Sequence, residues 1–344
     1  MDALRRWIDE EARRLQAAGK SGLLDLLENF LDAFFGAQYT HAAALLARLE
    51  EAIEAYQEPS WRLLTAYYRA LIALNWEGNV AGSLDIALNG YLTAERLGPR
   101  AATLRMFLHE VMLYAWLATD GPGYASTALD TLAQLRTVDN ESAARADLLR
   151  AHCLAHQGRG AEGSQTLNRL AAELDWPAPY LHSLRGTSLL WQERYPEALH
   201  AFERALSGFG EFAMLHECNE IRLAIANLHL DAGDYQASIH AAEQLLVRAS
   251  DTGNDGHLGL GLAVLGSALH RHGQWLEAIG CLTVALETLY GRGWLRDEAE
   301  IALERITICG KLDDHHLCDE TIHAEAAQRV YRLRSTDLID RLNE

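Results

Sequence analysis

The chain has 344 residues, 49% of them hydrophobic and 23% charged, which excludes a disordered polymer and fits two ordinary domains or one elongated repeat array. Its net charge of −18 opposes phosphate binding, which needs clustered positive charge, so no nucleic-acid partner is expected. No apolar run reaches the roughly 18 residues of a membrane span, and the opening "MDALRRWIDEEARRL" is an amphipathic charged helix, not a signal peptide.

Prolines number only 6 and apolar residues fall at three- and four-residue spacing, so helix is expected nearly throughout. Residues 1–20 are expected to cap the molecule, with Leu4, Trp7, Ile8 and Leu15 as one apolar stripe. Residues 23–35, "LLDLLENFLDAFF", are apolar on nearly every side, which predicts a helix buried on both faces. Turns are expected near Tyr39, at 78–80 in "EGNVAGSLDIAL", within "TDGPGYASTAL", and at 158–160 in "GRGAEGSQTL". The pattern then sharpens. "ERYPEALHAFERAL" (193–206) is followed forty residues on by "GDYQAS" at Tyr235 and forty further by "GQWLEAI" at Trp275. Ala198, Phe202 and Ala205 recur as Ala278, Leu282 and Ala285, and Gly186 and Gly266 each precede their copy by twelve residues. A mid-helix glycine costs about 1 kcal/mol relative to alanine, so a close helix approach is expected at both. The copy around Tyr235 has Ala226 for the glycine and Ala242 for the large residue. Residues 21–310 read as repeats, and 311–344 as a degenerate last repeat with a closing helix.

Glycine in a first helix, an aromatic residue at the turn, and alanine–large–alanine in a second helix resemble the tetratricopeptide repeat (TPR). The resemblance implies an all-α, right-handed superhelical solenoid of antiparallel helix pairs, with about 7–8 repeats and terminal capping helices. The period here, about 40 residues against the usual 34, is similar to that of the sensor domains of MalT-type bacterial regulators. Those join a LuxR-type DNA-binding module; no such segment follows Glu344, so direct transcription control is not expected.

Several local patterns look like chemistry and are set aside. "GRGAEG" satisfies G-x-G-x-x-G, but it follows a helical stretch where a strand is required. "LHEV" and "LHEC" begin like a zinc-protease motif, yet Leu113 and Glu220 stand where the second histidine belongs. His152 and His156 share one helical face but lack an obvious third ligand, and His315, His316, Cys318 and His323 sit at a frayed repeat end. No nucleophile elbow or distinct carboxylate pair occurs. The expectation is therefore no catalytic site, no metal and no cofactor. The five scattered cysteines suit small apolar fillers in a reduced, cytoplasmic protein.

TPR superhelices line their concave side with the first helix of each pair. By that resemblance the expected groove residues are Tyr68, Asn75, Trp76, Arg105, His109, Arg145, His152, His156, Thr187, Trp191, Asn227 and His270, with Leu190, Leu230 and Ser267 beside them. Aromatic, Arg, Asn and His residues suit an interface better than plain packing. A carboxylate clamp of the chaperone-adaptor kind also needs lysines, and the chain has only Lys20 and Lys311. The expectation is a non-enzymatic scaffold that binds a protein or peptide in its groove, with a small-molecule sensor as the alternative.

Overall fold

A computed structural model describes residues 2–36, 38–120, 147, 149–151, 153–154, 159–173, 178–312, 320–333 and 336–343. These form sixteen α-helices and one short 3₁₀ turn, with no strand among the described residues. The first six helices are α1 (Asp2–Ala17), α2 (Gly22–Phe35), α3 (Tyr39–Tyr56), α4 (Pro59–Asn75), α5 (Val80–Leu97) and α6 (Ala102–Asp120). Next come α7 (Gly160–Glu173), α8 (Ala178–Leu190), α9 (Tyr195–Glu211), α10 (Leu215–Asp231) and α11 (Tyr235–Thr252). The last five are α12 (Asp255–Arg271), α13 (Trp275–Leu289), α14 (Leu295–Cys309), α15 (Glu320–Leu333) and α16 (Thr336–Asn343). Helices pack in consecutive pairs: α2 on α3, α4 on α5, α8 on α9, α10 on α11, α12 on α13 and α14 on α15.

The glycine spacing has the expected cause. A Cβ added to Gly186 would meet the Phe202 ring at 2.5 Å, and one added to Gly266 would meet Leu282 Cγ at 2.6 Å. Each glycine thus admits the large residue of its partner helix. In the intervening pair both positions are small, and Ala226 and Ala242 pack together with Val264. Ala198, Ser238 and Ala278 hold the same place in α9, α11 and α13, all fully buried. Ser238 stays satisfied there because its hydroxyl donates to the Ala226 carbonyl at 2.9 Å, as Ser83 does to Ala70 at 2.8 Å. The turns close with left-handed residues, Gly233 and Gly273 in two copies and Glu193 (φ 57) in the third, where a side chain bears strain that glycine avoids.

At the N-terminal end, α1 is tied to the α3–α4 junction through Glu58, whose carboxylate takes Arg14 at 2.5 Å and Lys20 at 2.6 Å. The Arg14 hydrogen bond, helped by Lys20, holds the Glu58 carboxyl below its ordinary range. Phe30 and Leu27 of α2 are fully buried, but Asp25, Glu28, Asn29, Asp32 and Phe35 are exposed at helical spacing, so that helix keeps one solvent face and is not buried on both as expected.

A contact between distant parts of the chain was not foreseen. The α4–α5 turn docks against the starts of α12 and α14, some 180 to 216 residues later. The Asn254 amide donates to the Asn75 carbonyl, the Trp294 indole N–H to the Gly78 carbonyl at 2.7 Å, and the Ala81 N–H to the Arg292 carbonyl at 3.0 Å. Arg292 also donates to the Glu77 carbonyl and to Asp255 Oδ2, the latter at 2.6 Å. Helix α6 touches α14 as well. The array therefore returns upon itself.

Beyond this seam, burial pushes the Asp297 carboxyl of α14 up to about 7, with Glu300 adding to the shift. A carboxyl raised in the folded state binds its proton more tightly there than when unfolded. Its contribution to stability is full below its ordinary value of 3.8 and is lost as pH rises through about 7. Urea midpoints taken at pH 5 and pH 8 are expected to fall more for the wild type than for Asp297→Asn, which carries no proton to lose. Equal pH slopes would show Asp297 to be solvated.

The cysteines are mixed. Cys153, Cys218 and Cys281 are free thiols, but Cys309 is disulfide-bonded, which departs from the expectation of a fully reduced set. No described helix is long and apolar enough to cross a membrane.

Candidate functional site

The first helices of successive pairs stand side by side, and polar contacts at a spacing of 37 residues run between them. Tyr180 of α8 donates to Glu217 of α10 at 3.1 Å, and Glu220 of α10 meets His257 of α12 at 2.8 Å. Ser267 of α12 donates to Glu304 of α14 at 2.5 Å. One face of the array is therefore a ladder of first helices joined by side chains.

The expected groove residues divide on this frame. Tyr68 and Trp76 belong to the core: Tyr68 lies edge-on to Phe30 and Phe34, and Trp76 lies against Tyr39 with ring centroids 4.0 Å apart. His109 is 1% exposed, between the rings of Tyr91 and Trp116, and burial pushes its pKa down to about 4, with Arg105 adding to the shift. These three have no surface to offer a ligand. Asn75 is half-buried at the seam, and Arg105 is half-buried on α6. His270 is buried, its Nδ1 at 2.8 Å from Glu304 and its Nε2 at 2.9 Å from the Lys311 ammonium, so it serves contacts between repeats. Thr187 is half-buried and donates to the Ser183 carbonyl. Asn227 is half-buried on α10. Arg145, His152 and His156 lie outside the described residues, as do His315, His316 and Cys318 of the C-terminal cluster.

Trp191 is different, being 45% exposed at the end of α8. It borders an open cleft of about 420 Å³, lined by Leu190, Trp191, Glu193 and Tyr195 from one pair, Leu230, Asp231, Gly233 and Tyr235 from the next, and Arg271 from the third. Leu190, Trp191 and Leu230 were expected to face a ligand; Tyr195 and Tyr235 were read only as turn residues. Their recurrence at forty residues was the available signal, because equivalent positions in stacked repeats line one edge. Burial raises the Asp231 carboxyl above its ordinary range while the Arg271 charge pulls it down. The cleft thus presents three aromatic rings around two carboxylates and one guanidinium.

A family model for the tetratricopeptide repeat matches residues 183–254 and 223–287, the segments that carry Gly186, Phe202, Gly266 and Leu282. The chain has the fold of a TPR superhelix, and the family model itself is confined to these residues. No curated protein sequence matches it. Among solved structures, the TPR superhelix resembles NprR in complex with its cognate peptide NprX, at TM-score 0.53 and 16% identity, over 77% of this chain and 81% of that one. It also resembles a Rap protein complexed with Competence and Sporulation Factor, at TM-score 0.54 and 14% identity, over 94% and 99% of the two chains. A third is the STAND signal-transduction ATPase with a tetratricopeptide-repeat sensor from Pyrococcus horikoshii, at TM-score 0.54 and 12% identity. There the superhelix covers 86% of this chain and 46% of that one. At these identities the likeness is one of fold.

Proposed function

We propose that this superhelix is a non-enzymatic interaction protein that holds a peptide or protein segment along its ladder of first helices, anchored at the Trp191–Tyr195–Tyr235 cleft. The observation that carries the reading is that cleft: exposed Trp191 and half-buried Tyr195 and Tyr235, from successive pairs, grouped around Asp231 and Arg271. Rigid aromatic side chains are the usual anchors of interfaces because they cover much area for little lost side-chain entropy. Two proteins of similar fold are seen with bound partners, NprR with its cognate peptide NprX and Rap with Competence and Sporulation Factor, which supports the same use here. With Glu193 and Asp231 against one arginine and a chain charge of −18, the cleft favours a basic segment.

The test is selection of peptides from a random library against the full chain, followed by fluorescence anisotropy with the best binder. Trp191→Ala is expected to weaken binding by about 2 kcal/mol, roughly thirtyfold, as loss of a central aromatic anchor does. Affinity within twofold of wild type would remove the cleft from the site. A second reading, a small-ligand sensor, is favoured by the cleft's volume of about 420 Å³, in the range of small-molecule pockets. It predicts that the library yields no binder while a small metabolite raises the Tm of wild type and leaves that of Trp191→Ala unchanged.

A further inference from the structure

We propose that His216, Glu220 and His257 form a binding site for a divalent transition-metal ion, with zinc the ion that fits best. His216 and Glu220 stand one helical turn apart at the start of α10, the spacing that places two side chains on one face. His257 comes from the first turn of α12 and reaches the same spot. One ligand atom from each residue lies within 4.8 Å of the other two. His257 Nε2 is 2.8 Å from Glu220 Oε1, and His216 Nε2 is 3.9 Å from it. Four-coordinate zinc, with bonds of about 2.0–2.1 Å, holds its nitrogen and oxygen donors about 3.3 Å apart. Small side-chain rotations therefore bring the three onto one ion, with a fourth position left for water or a ligand group.

Two further observations favour an ion over an ordinary histidine–carboxylate pair. The two imidazole rings lie together, centroids 4.9 Å apart, so two charged rings would repel. The Nδ1 atom of His257 is buried without a hydrogen-bond partner, an arrangement that costs free energy in a purely structural pair.

The sequence hid this set. "LHEC" was set aside because Glu220 occupies the place of a second histidine; that histidine is supplied 37 residues later by the next repeat. Two histidines and one carboxylate are a donor set that zinc commonly takes. Glu217, the neighbour of His216, accepts a hydrogen bond from Tyr180 of α8 at 3.1 Å and is engaged in the contact between repeats. Asn75 of the α4–α5 turn lies beside His216, and Asn254 precedes His257 by three residues. An ion here would clamp α10 to α12 at the seam.

The experiment uses the full chain, stripped with a chelator and titrated with zinc chloride by calorimetry, with cobalt(II) as a visible-light probe of tetrahedral coordination. Wild type is expected to take one equivalent tightly and to develop the cobalt absorption. His257→Ala and the nearly isosteric Glu220→Gln should each raise the Kd at least tenfold and abolish that absorption, while circular dichroism shows helix content unchanged. Two controls should keep the equivalent: His240→Ala, at an exposed histidine, and the triple variant His315→Ala, His316→Ala, His323→Ala. A Kd within twofold of wild type in Glu220→Gln, or loss of the equivalent in the triple variant, overturns the proposal. So does wild type that takes up no zinc.

Discussion

Phe202→Ala is expected to destabilise the superhelix by about 4 kcal/mol, the middle of the range for removing a fully buried aromatic ring. The ring is 1% exposed and fills the space opened by Gly186 across the α8–α9 interface. Its loss leaves a cavity that two helices held by the same repeat geometry close only in part. Gly186→Ala on its own adds a methyl group 2.5 Å from two ring carbons. The overlap costs about 1–3 kcal/mol, and the better helix propensity of alanine returns about 1. In the Phe202→Ala background the overlap is gone, and Gly186→Ala should then be stabilising by about 1 kcal/mol. The two changes are therefore coupled by about 2 kcal/mol, well beyond the additivity of distant sites. Urea unfolding of the four proteins in this cycle measures it, and hydrogen exchange across residues 178–211 shows whether the loss is local, as neighbour-only contacts predict. Additivity within 0.5 kcal/mol would mean that the glycine is there for some reason other than the ring.

That pair also shows what kind of information was legible in the sequence. Gly186 and Phe202 lie sixteen residues apart in one helical hairpin, and their relation recurs in Gly266 and Leu282, so periodicity alone exposes it. The turn aromatics Tyr195 and Tyr235 were legible for the same reason, although their exposure to a shared cleft was not. Tyr68, Trp76 and His109 follow the same repeat grammar, yet they are packed inside, because neighbouring rings (Phe30, Phe34, Tyr39, Tyr91 and Trp116) close over them. Whether an aromatic residue at a first-helix position faces outward depends on the size of its neighbours, which no single repeat position records. His270 reads as a groove residue until Glu304 and Lys311, from the following repeat and its end, close over it. The histidine–glutamate cluster is split between two repeats, each of which holds only a fragment of a ligand set. The seam lies further still from local pattern, joining residues about two hundred positions apart through backbone carbonyls that carry no side-chain signature.

Gly78→Ala is expected to open that seam. Gly78 has φ +59, and a Cβ there would lie 2.5 Å from the Gly256 amide nitrogen and 2.6 Å from its Cα. Backbone atoms on both sides leave nothing flexible to yield. Left-handed strain of about 1–2 kcal/mol then adds to an overlap of about 1–3, for a loss near 3 kcal/mol. Separation is the cheapest relief, since the contact rests on a few hydrogen bonds and on one indole, Trp294, whose N–H must release the Gly78 carbonyl. Gly19→Ala supplies the control, because Gly19 has φ +73 and nothing within 4 Å of an added Cβ. It carries the strain without the collision and should cost only about 1–2 kcal/mol. Small-angle scattering should show a larger radius of gyration for Gly78→Ala and an unchanged one for Gly19→Ala, and the Ala81 amide, bonded to Arg292 in the closed form, should lose exchange protection in the first alone. Equal losses of stability with equal scattering would mean that the turn carries strain but no contact, and that the array stands open in solution. Opening would also part Asn75 from Asn254 and from the histidine pair beside it, so seam and cluster should respond together. A superhelix free to open adjusts its inner surface to its partner, whereas one held shut presents a single preformed surface, and the Gly78→Ala variant distinguishes these two modes of recognition.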